Sequence, residues 1–141
     1  MFGIQWDLVC KYLEVKGKLG TANINSDSSA WGNYSNVERT ISSDKAKKGS
    51  SWTSITGTKP ASSVLLTAGA SDDTKKMNIY DFAGNEWEWT LEKTSDSDHP
   101  CAYRGGSCGN TGSGFPASYR GSYGTTDSYH RVAFRPTLYV N

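Results

Sequence analysis

Apolar positions near the start of the chain repeat with the period of an α-helix. The side chains of this stripe are Ile4, Trp6, Leu8, Val9, Tyr12 and Leu13. Their spacing predicts an amphipathic helix over residues 4–15, which Gly17 and Gly20 are expected to end. Because the apolar stripe of a surface helix normally faces the core, we expect Trp6 and Tyr12 to be core residues.

Small and polar residues dominate residues 21–70, so regular elements there should be few and short. The isolated apolar anchors of this segment are Ile24, Trp31, Tyr34, Ile41, Trp52 and Ile55. A loop of this length needs docking points, and residues 31–34, Trp-Gly-Asn-Tyr, are the expected one. Residues 61–68 fit either a short helix or a buried strand, and both remain open.

Residues 78–90 read Asn-Ile-Tyr-Asp-Phe-Ala-Gly-Asn-Glu-Trp-Glu-Trp-Thr and form the centre of the pattern. Trp87 and Trp89 are separated by a single residue, which in a strand directs both rings to the same face of a sheet. The dipeptide Gly84-Asn85 before them tolerates positive φ and favours a turn. The segment therefore predicts a strand, a tight turn and a second strand.

Residues 101–131 have an unusual composition. Twenty of these thirty-one residues are Gly, Ser, Tyr, Thr or Asn, a set that resembles antibody loops. The same composition also marks flexible linkers, which is the alternative interpretation. Sheet-like blocks at residues 103–107 and 131–140 flank the tract, and the second alternates like a final strand that pairs back into the core. We therefore expect a displayed binding surface over about residues 101–131.

Length and charge exclude several classes of protein. The 141 residues fit a single domain spanning residues 1–141, and 35% hydrophobic residues with 12% aromatics suit a loop-rich fold. The net charge is +1, and only Lys45, Lys47 and Lys48 cluster, so no nucleic-acid partner is expected. No apolar run approaches the roughly 20 residues of a membrane span, so membrane insertion is not expected. The start lacks the features of a signal peptide, which leaves localisation open.

Metal and nucleophile motifs are scarce. His99 and His130 lack the spacing of a zinc site, and no Gly-x-Ser-x-Gly elbow occurs, so neither a metal site nor a catalytic residue is predicted. The three cysteines are an odd number, which argues against a disulfide framework. Cys10 lies among apolar residues and is expected to be a small buried hydrophobe.

Three blocks in order carry a resemblance to a known family. They are residues 78–90, residues 103–107 (Tyr-Arg-Gly-Gly-Ser) and residues 133–136 (Ala-Phe-Arg-Pro). The chain resembles the formylglycine-generating-enzyme-like domain, of the sulfatase-modifying factor type, which is a version of the C-type lectin fold. The resemblance implies an α+β fold with a small twisted sheet, few helices and long loops. It does not by itself imply an activity, because one fold hosts unrelated functions.

The cysteine positions differ from those of the family's oxidases. Oxidases of this family use two cysteines a few residues beyond the Gly-Gly-Ser motif to bind copper. Here Cys108 follows Ser107 directly, no second cysteine occurs up to Arg131, and Cys101 precedes the motif. We therefore expect a protein that is not an enzyme, with a copper-dependent oxidase related to the formylglycine-generating enzyme as the alternative. A disulfide between Cys101 and Cys108 remains open.

No cofactor is expected, although the resemblance leaves a structural calcium ion open. Oxidases of the family hold calcium through oxygens at positions that resemble Asn85, Glu86 and Glu88. Oxygen ligands of this kind suit hard cations, but three residues fall short of six ligands.

Within the family, the chain resembles variable proteins of diversity-generating retroelements. Their template adenines are randomised, so asparagine-type codons become Tyr, Ser, Gly, Asp, His, Cys, Phe or Arg. By this analogy we expect the ligand-binding surface positions to be Cys108, Asn110, Thr111, Ser113, Gly114, Phe115, Tyr119, Gly121, Ser122, Tyr123, Gly124, Asp127, Tyr129, His130 and Arg131. Residues 116–118 and Arg120 are expected to be scaffold. The expected core comprises Trp6, Trp87, Trp89 and Phe134.

The function implied by this resemblance is ligand binding without catalysis. The expected partner is a protein or glycan receptor on a cell or virion surface, since a flat Tyr-rich face suits macromolecules better than small molecules. The location implied is a phage tail or a cell surface, where adhesion and receptor recognition take place. A module of a larger assembly such as a tail fibre is compatible with this function, and an oligomer stays open.

Overall fold

A computed structural model describes residues 1–136 of the chain and shows a mixed α+β architecture. The helices are α1 (Gly3–Val15) and α2 (Gly20–Asn25), and a short 3₁₀ helix spans Asp72–Thr74. The strands are β1 (Arg39–Thr40), β2 (Lys47–Lys48), β3 (Thr53–Ser54), β4 (Thr58–Lys59), β5 (Lys75–Lys76), β6 (Ile79–Tyr80), β7 (Trp87–Lys93), β8 (Cys101–Arg104), β9 (Arg120–Tyr123) and β10 (Val132–Phe134). None of the helices within residues 1–136 is long and apolar enough to cross a membrane.

One four-stranded mixed sheet organises the molecule, with the strand order β10-β7-β8-β9. β10 runs parallel to β7, whereas β7, β8 and β9 are antiparallel to their neighbours. The register aligns Trp89 with Tyr103 and Tyr103 with Gly121. The remaining strands form three short pairs, β1 with β4, β2 with β3, and β5 with β6. The large sheet therefore supplies the rigid surface on which the loops are placed.

Helix α1 confirms the predicted helix but buries a different face. Its buried residues are Gly3, Trp6, Cys10 and Leu13. Trp6 stacks on Phe82 at a ring-centroid distance of 4.0 Å and donates its indole N–H to the carbonyl of Ala117 over 2.9 Å. Packing against this large ring sets the rotation of the helix, so Ile4 and Leu8 are exposed. The prediction that Tyr12 is a core residue is wrong, because its side chain is 42% exposed.

Residues 21–70 have few and short elements, as predicted. The expected docking point at residues 31–34 is confirmed, since all four residues are buried. The Tyr34 hydroxyl lies 2.9 Å from the carbonyl of Phe115 and 3.2 Å from that of Gly105, which ties this loop to the second half of the chain. Trp52 is not an anchor, because it is 47% exposed. Residues 61–68 form neither a helix nor a strand, and only Leu66 makes an isolated bridge.

The predicted turn at Gly84-Asn85 is confirmed and joins several loops. Gly84 has a φ of 71°, and a Cβ there would overlap the carbonyl of Asn33. The Asn85 side chain donates to the carbonyl of Leu66 and accepts from its amide, each over 3.0 Å. The Cys108 amide donates to the Asn85 carbonyl over 2.8 Å. The strands on either side do not form a hairpin, because β6 pairs with β5.

The core lies between α1, the loops and one face of the sheet. The largest buried apolar side chains of this cluster are Trp6, Leu13, Ile24, Trp31, Tyr34 and Phe82. Trp6 and Trp87 are buried as predicted, and Trp89 is half-buried. The prediction that Phe134 belongs to the core is wrong: it is 76% exposed, because β10 is an edge strand of the sheet. The part of the predicted final strand at residues 137–140 lies outside the described residues.

An ionic network joins α1 to the same sheet. The buried Arg104 side chain on β8 pairs with Asp7 of α1 and lies 3.6 Å from the Glu92 carboxylate. Arg120 on β9 also contacts both carboxylates, at 3.5 Å from Asp7 and 3.0 Å from Glu92. Arg120, predicted as scaffold, thus lies at the surface but supports the packing of the helix on the sheet.

Candidate functional site

Aromatic rings cover the side of the four-stranded sheet that faces away from α1. We call this surface the aromatic face and define it by Trp87, Trp89, Tyr103, Phe115, Tyr119, Tyr123 and Tyr129. Trp87 is buried at its centre, most of the other rings are half-buried, and Tyr129 at its end is 40% exposed. The set therefore combines a rigid base with accessible ring edges.

The rings of the aromatic face form one continuous series of contacts. Tyr103 lies 4.8 Å from Trp87 in an edge-to-face arrangement and stacks on Tyr123 at 4.7 Å, measured between ring centroids. Tyr123 continues to Tyr129 at 5.6 Å. At the other end Trp87 lies 5.5 Å from Tyr119. Centroid distances of this size are those at which aromatic pairs attract each other, so the rings hold one another in place.

Strand alternation and one glycine explain how the sequence builds this surface. Successive side chains of a strand point to opposite faces, so the register places Trp89, Tyr103 and Tyr123 on one side. Gly121 lies opposite Tyr103, and a Cβ there would overlap the tyrosine ring. Gly121 was expected to be a surface position for ligand binding. The structure instead places it beneath Tyr103, where its lack of a side chain makes room for the ring.

The Tyr103 hydroxyl within the aromatic face is uncharged near physiological pH. Burial, together with the neighbouring Tyr123, raises the pKa of the Tyr103 hydroxyl to about 12. At its edge a cavity of about 340 Å³ is lined by Trp89, Cys101 and Asp127, among others. The carboxylate of Asp127 accepts a hydrogen bond from the Gly124 amide over 2.7 Å, which closes the loop beside this cavity. Contact with a ligand would therefore rest on ring surface, with one carboxylate at the rim.

A second group of predicted positions lies on the loop between β8 and β9. Asn110, Thr111, Ser113 and Gly114 belong to this group and are exposed or half-buried. The Asn110 side chain accepts from the hydroxyl of Ser107 over 2.8 Å and from its amide over 3.0 Å, so it shapes the loop. Phe115 at the end of the loop contacts Trp87 and Tyr119 and links the loop to the aromatic face.

Cys108 is a correction to the predicted surface set. Its side chain is 2% exposed, and its backbone is fixed by the hydrogen bond to Asn85. Burial raises the pKa of its thiol above the ordinary value, only partly offset by the nearby Arg131. Cys108 is therefore held beneath the loop and is not a surface position.

Three further predicted positions lie at the margins of the aromatic face. Ser122 alternates with Tyr123 and so points to the opposite side of β9. His130 is exposed, with its ring 5.1 Å from that of Tyr129. Arg131 is half-buried and donates from Nη1 to the hydroxyl of Ser63 over 3.0 Å. The structure thus brings His130 next to the face and directs Arg131 toward the loop at residues 61–68.

The cysteines show no disulfide. Cys10, Cys101 and Cys108 are all free thiols, which answers the open question of a bond between Cys101 and Cys108. Cys10 is buried as expected. The expectation that the chain is not an enzyme, and the alternative of an oxidase, both stay predictions.

Two of the three residues considered for calcium, Asn85 and Glu88, are engaged by other parts of the chain. The Glu88 carboxylate is engaged by the guanidinium of Arg135, at 2.6 Å and 2.9 Å. Both polar atoms of the Asn85 side chain are bonded to the backbone of Leu66. Within residues 1–136 no group of three or more His, Cys, Asp or Glu side chains is arranged to hold a metal ion. The side-chain oxygens of Asn85 and Glu88 therefore already have protein partners, whereas Oε2 of Glu86 has none within residues 1–136.

Sequence reasoning assigned Trp87, Trp89 and Tyr103 to the core or to the flanking blocks. The structure places all three in the aromatic face, where they support the displayed tyrosines. The signal that points to this arrangement is the two-residue spacing of Trp87 and Trp89, which puts both on one side of a strand. The spacing does not indicate which residues of a neighbouring strand lie beside the two tryptophans, because that depends on the register of the sheet.

Comparison with known proteins adds no relative. No family model, no curated protein and no solved structure matches the chain.

Proposed function

We propose that this chain is a non-enzymatic ligand-binding domain of the formylglycine-generating-enzyme-like C-type lectin type, and that its aromatic face recognises a macromolecular receptor. The observation that carries the proposal is the continuous series of half-buried rings held on a four-stranded sheet. Tyrosine provides large contact area at a low entropic cost, and a rigid base keeps that cost low on binding.

The shape of the surface favours a protein or glycan receptor. The aromatic face is broad, and the cavity at its edge is small, so a ligand would be contacted over an area and not enclosed. Such a receptor lies on a cell or on a virion. This fits a role in adhesion or in a phage tail.

Alanine substitution tests the site. Tyr119→Ala, Tyr123→Ala and Tyr129→Ala are compared with the wild type for binding to receptors identified on glycan and protein arrays. Losses of about 2 kcal/mol or more at one or two positions are expected, because a few residues dominate most interfaces. Tyr12→Ala is the matched control, since Tyr12 is an exposed tyrosine on α1. Unchanged affinity in all three variants would place the receptor site elsewhere.

We further propose that the binding surface is a target of a diversity-generating retroelement. The support is the residue set in and around the aromatic face, with Tyr, Ser, Gly, Asp and His at the expected positions. DNA flanking the gene is expected to contain a reverse transcriptase and a near-identical repeat of the codons for residues 103–140. The repeat should differ only where it carries adenine. A locus without the repeat would leave a binding domain of fixed specificity.

A further inference from the structure

A cleft separate from the aromatic face lies between the loop at residues 50–68 and the edge strand β10. Its volume is about 550 Å³, and its lining includes Trp52, Leu66, Glu86, His130 and Val132. A volume of this size accommodates a small molecule or a long side chain. His130 also contacts Tyr129, so the cleft opens beside the end of the aromatic face.

Glu86 is the only carboxylate that lines this cleft among the described residues. Its Oε2 atom is buried and has no hydrogen-bond partner within residues 1–136. Burial raises the pKa of the carboxyl group, and Arg131 lowers it only in part. The Arg131 guanidinium donates to Ser63 instead. A buried carboxylate oxygen without a donor is unfavourable, and a cation bound in the cleft beside this carboxylate would stabilise its charge.

Trp52 supplies the second half of the site. This large ring is 47% exposed at the cleft and its backbone has a φ of 50°, a conformation that is uncommon for a bulky residue. The turn that holds it is closed by a hydrogen bond of 3.1 Å from the Trp52 amide to the Gly49 carbonyl. Local strain of this kind persists where surrounding structure imposes it, often at ligand sites. The ring is therefore presented to the cleft by a defined turn.

We propose that this cleft binds an arginine side chain of a protein partner, between the Trp52 ring and the Glu86 carboxylate. The planar guanidinium ion stacks on an aromatic ring and pairs with a carboxylate through its charge and its N–H donors. Both features of the cleft are satisfied by this one group. The inference rests on the proposed function in one respect: the receptor bound by the aromatic face would carry the arginine. The experiment below uses a short peptide, so it tests the cleft without that receptor.

The probe is the peptide acetyl-Gly-Arg-Gly-amide, titrated into the full chain while the indole N–H signal of Trp52 is followed by NMR. Its control is the same peptide with citrulline, which has the shape of arginine but no charge. We expect saturable binding of the arginine peptide with a millimolar dissociation constant, and binding of the citrulline peptide at least ten-fold weaker. Equal binding of the two peptides, or no binding of either, would overturn the proposal.

Two variants locate the site, with binding followed by calorimetry. Glu86→Gln keeps the size of the side chain and removes its charge, and Trp52→Asn removes the ring but tolerates positive φ. Glu86→Gln is expected to weaken binding of the arginine peptide at least ten-fold and Trp52→Asn at least three-fold, whereas Tyr12→Ala leaves it unchanged. If Glu86→Gln fails to fold, the binding affinity of Trp52→Asn alone tests the location of the site. Wild-type affinity in Trp52→Asn would exclude the cleft while leaving receptor binding by the aromatic face untouched.

Discussion

Tyr103 lies across the backbone of Gly121, and this contact fixes the centre of the aromatic face at the scale of single residues. Tyr103 also touches Trp87, Trp89 and Tyr123, so its position is determined by several partners. Variation at Gly121 would therefore change the surface by moving a neighbour and would not add a new contact. Diversity at the face is better tolerated at Tyr129, which lies at the end of the ring series.

Gly121→Ala is predicted to disturb the aromatic face, because the new methyl group overlaps the Tyr103 ring. The expected loss in free energy of unfolding is about 1–3 kcal/mol, the usual range for overpacking. Urea denaturation measures the loss, and near-UV circular dichroism reports the ring movement. Gly114→Ala is the control, since its closest neighbour would be the Thr111 hydroxyl at 3.0 Å. Equal stability of the two variants would contradict the packing of Tyr103 on Gly121.

Lys59 is a buried lysine whose hydrogen-bond partners within residues 1–136 are backbone carbonyls. Its ammonium group donates to Tyr34 over 2.6 Å and to Val37 over 2.7 Å, and its side chain has no exposed surface. Burial, aided by the charge of Arg39, lowers its pKa to about 8. The hydrogen bonds hold the loop at residues 34–37 in place, while the buried charge opposes folding.

The lowered pKa of Lys59 predicts a pH dependence of stability. Between pH 8 and the ordinary pKa of 10.5, the unfolded chain binds more protons at this residue than the folded chain. Its contribution to the free energy of unfolding therefore rises with pH, by up to about 1.4 kcal/mol per pH unit. The free energy of unfolding, measured by chemical denaturation from pH 7 to 10.5, should therefore rise more with pH in the wild type than in Lys59→Met. Lys47→Met, on an exposed strand, should follow the wild type, and parallel profiles for all three would refute the shift.

At the scale of elements, α1 shows how one large side chain sets the rotation of a helix. Trp6, Cys10 and Leu13 form its buried side, whereas Leu8 and Ile4 face outward. The apolar residues cover a wide arc of the helix, so their spacing predicted the helix and an apolar stripe but not which part of the stripe is buried. The stack of Trp6 on Phe82 made that selection.

The rotation of α1 is tested by a matched pair of leucines. Leu13→Ala is predicted to lower the free energy of unfolding by about 2–5 kcal/mol, because it leaves a cavity in the core. Leu8→Ala removes an exposed side chain and should change stability by less than about 0.5 kcal/mol. Both are measured by chemical denaturation. Comparable losses would indicate that the helix is rotated relative to the structure described.

At the scale of the whole molecule, long loops converge on a few buried polar groups. Asn33 donates to the carbonyl of Val64 over 3.0 Å and to the side chain of Asn85 over 2.8 Å. Gly84 and Cys108 continue the same network through their amides. Loops of low hydrophobicity thereby become ordered, because buried hydrogen bonds are strongly directional and are unfavourable to break.

Thiol reactivity reports on the integrity of this network. Cys101 is half-buried beside the aromatic face, whereas Cys10 and Cys108 are buried and burial raises the pKa of both thiols, that of Cys10 to about 12. At pH 8 a disulfide reagent such as Ellman's should react with one thiol in the native protein and with three in denaturant. Cys101→Ser should remove the fast reaction. A second fast thiol in the wild type would mean that the loop over Cys108 opens readily.

The strongest predictions from sequence were local. The helix over residues 4–15, the turn at Gly84-Asn85 and the docking of residues 31–34 follow from short-range periodicity, backbone preference and large rings. Long-range choices were less accessible: Tyr12, Trp52 and Phe134 were each expected inside and are exposed. Nothing in a single strand or loop indicates which of its faces another part of the chain will cover.

The sequence by itself indicated the first helix, the turn at Gly84-Asn85, and the composition of residues 101–131 from which a contact surface is predicted. The tertiary structure decided that Trp87, Trp89 and Tyr103 belong to the aromatic face, that Cys108 is buried and Gly121 lies beneath Tyr103, and that Trp52 and Glu86 line the same cleft. The reason is that propensity and alternation act over a few residues. Register, burial and unpaired charge depend on segments that are far apart in the chain.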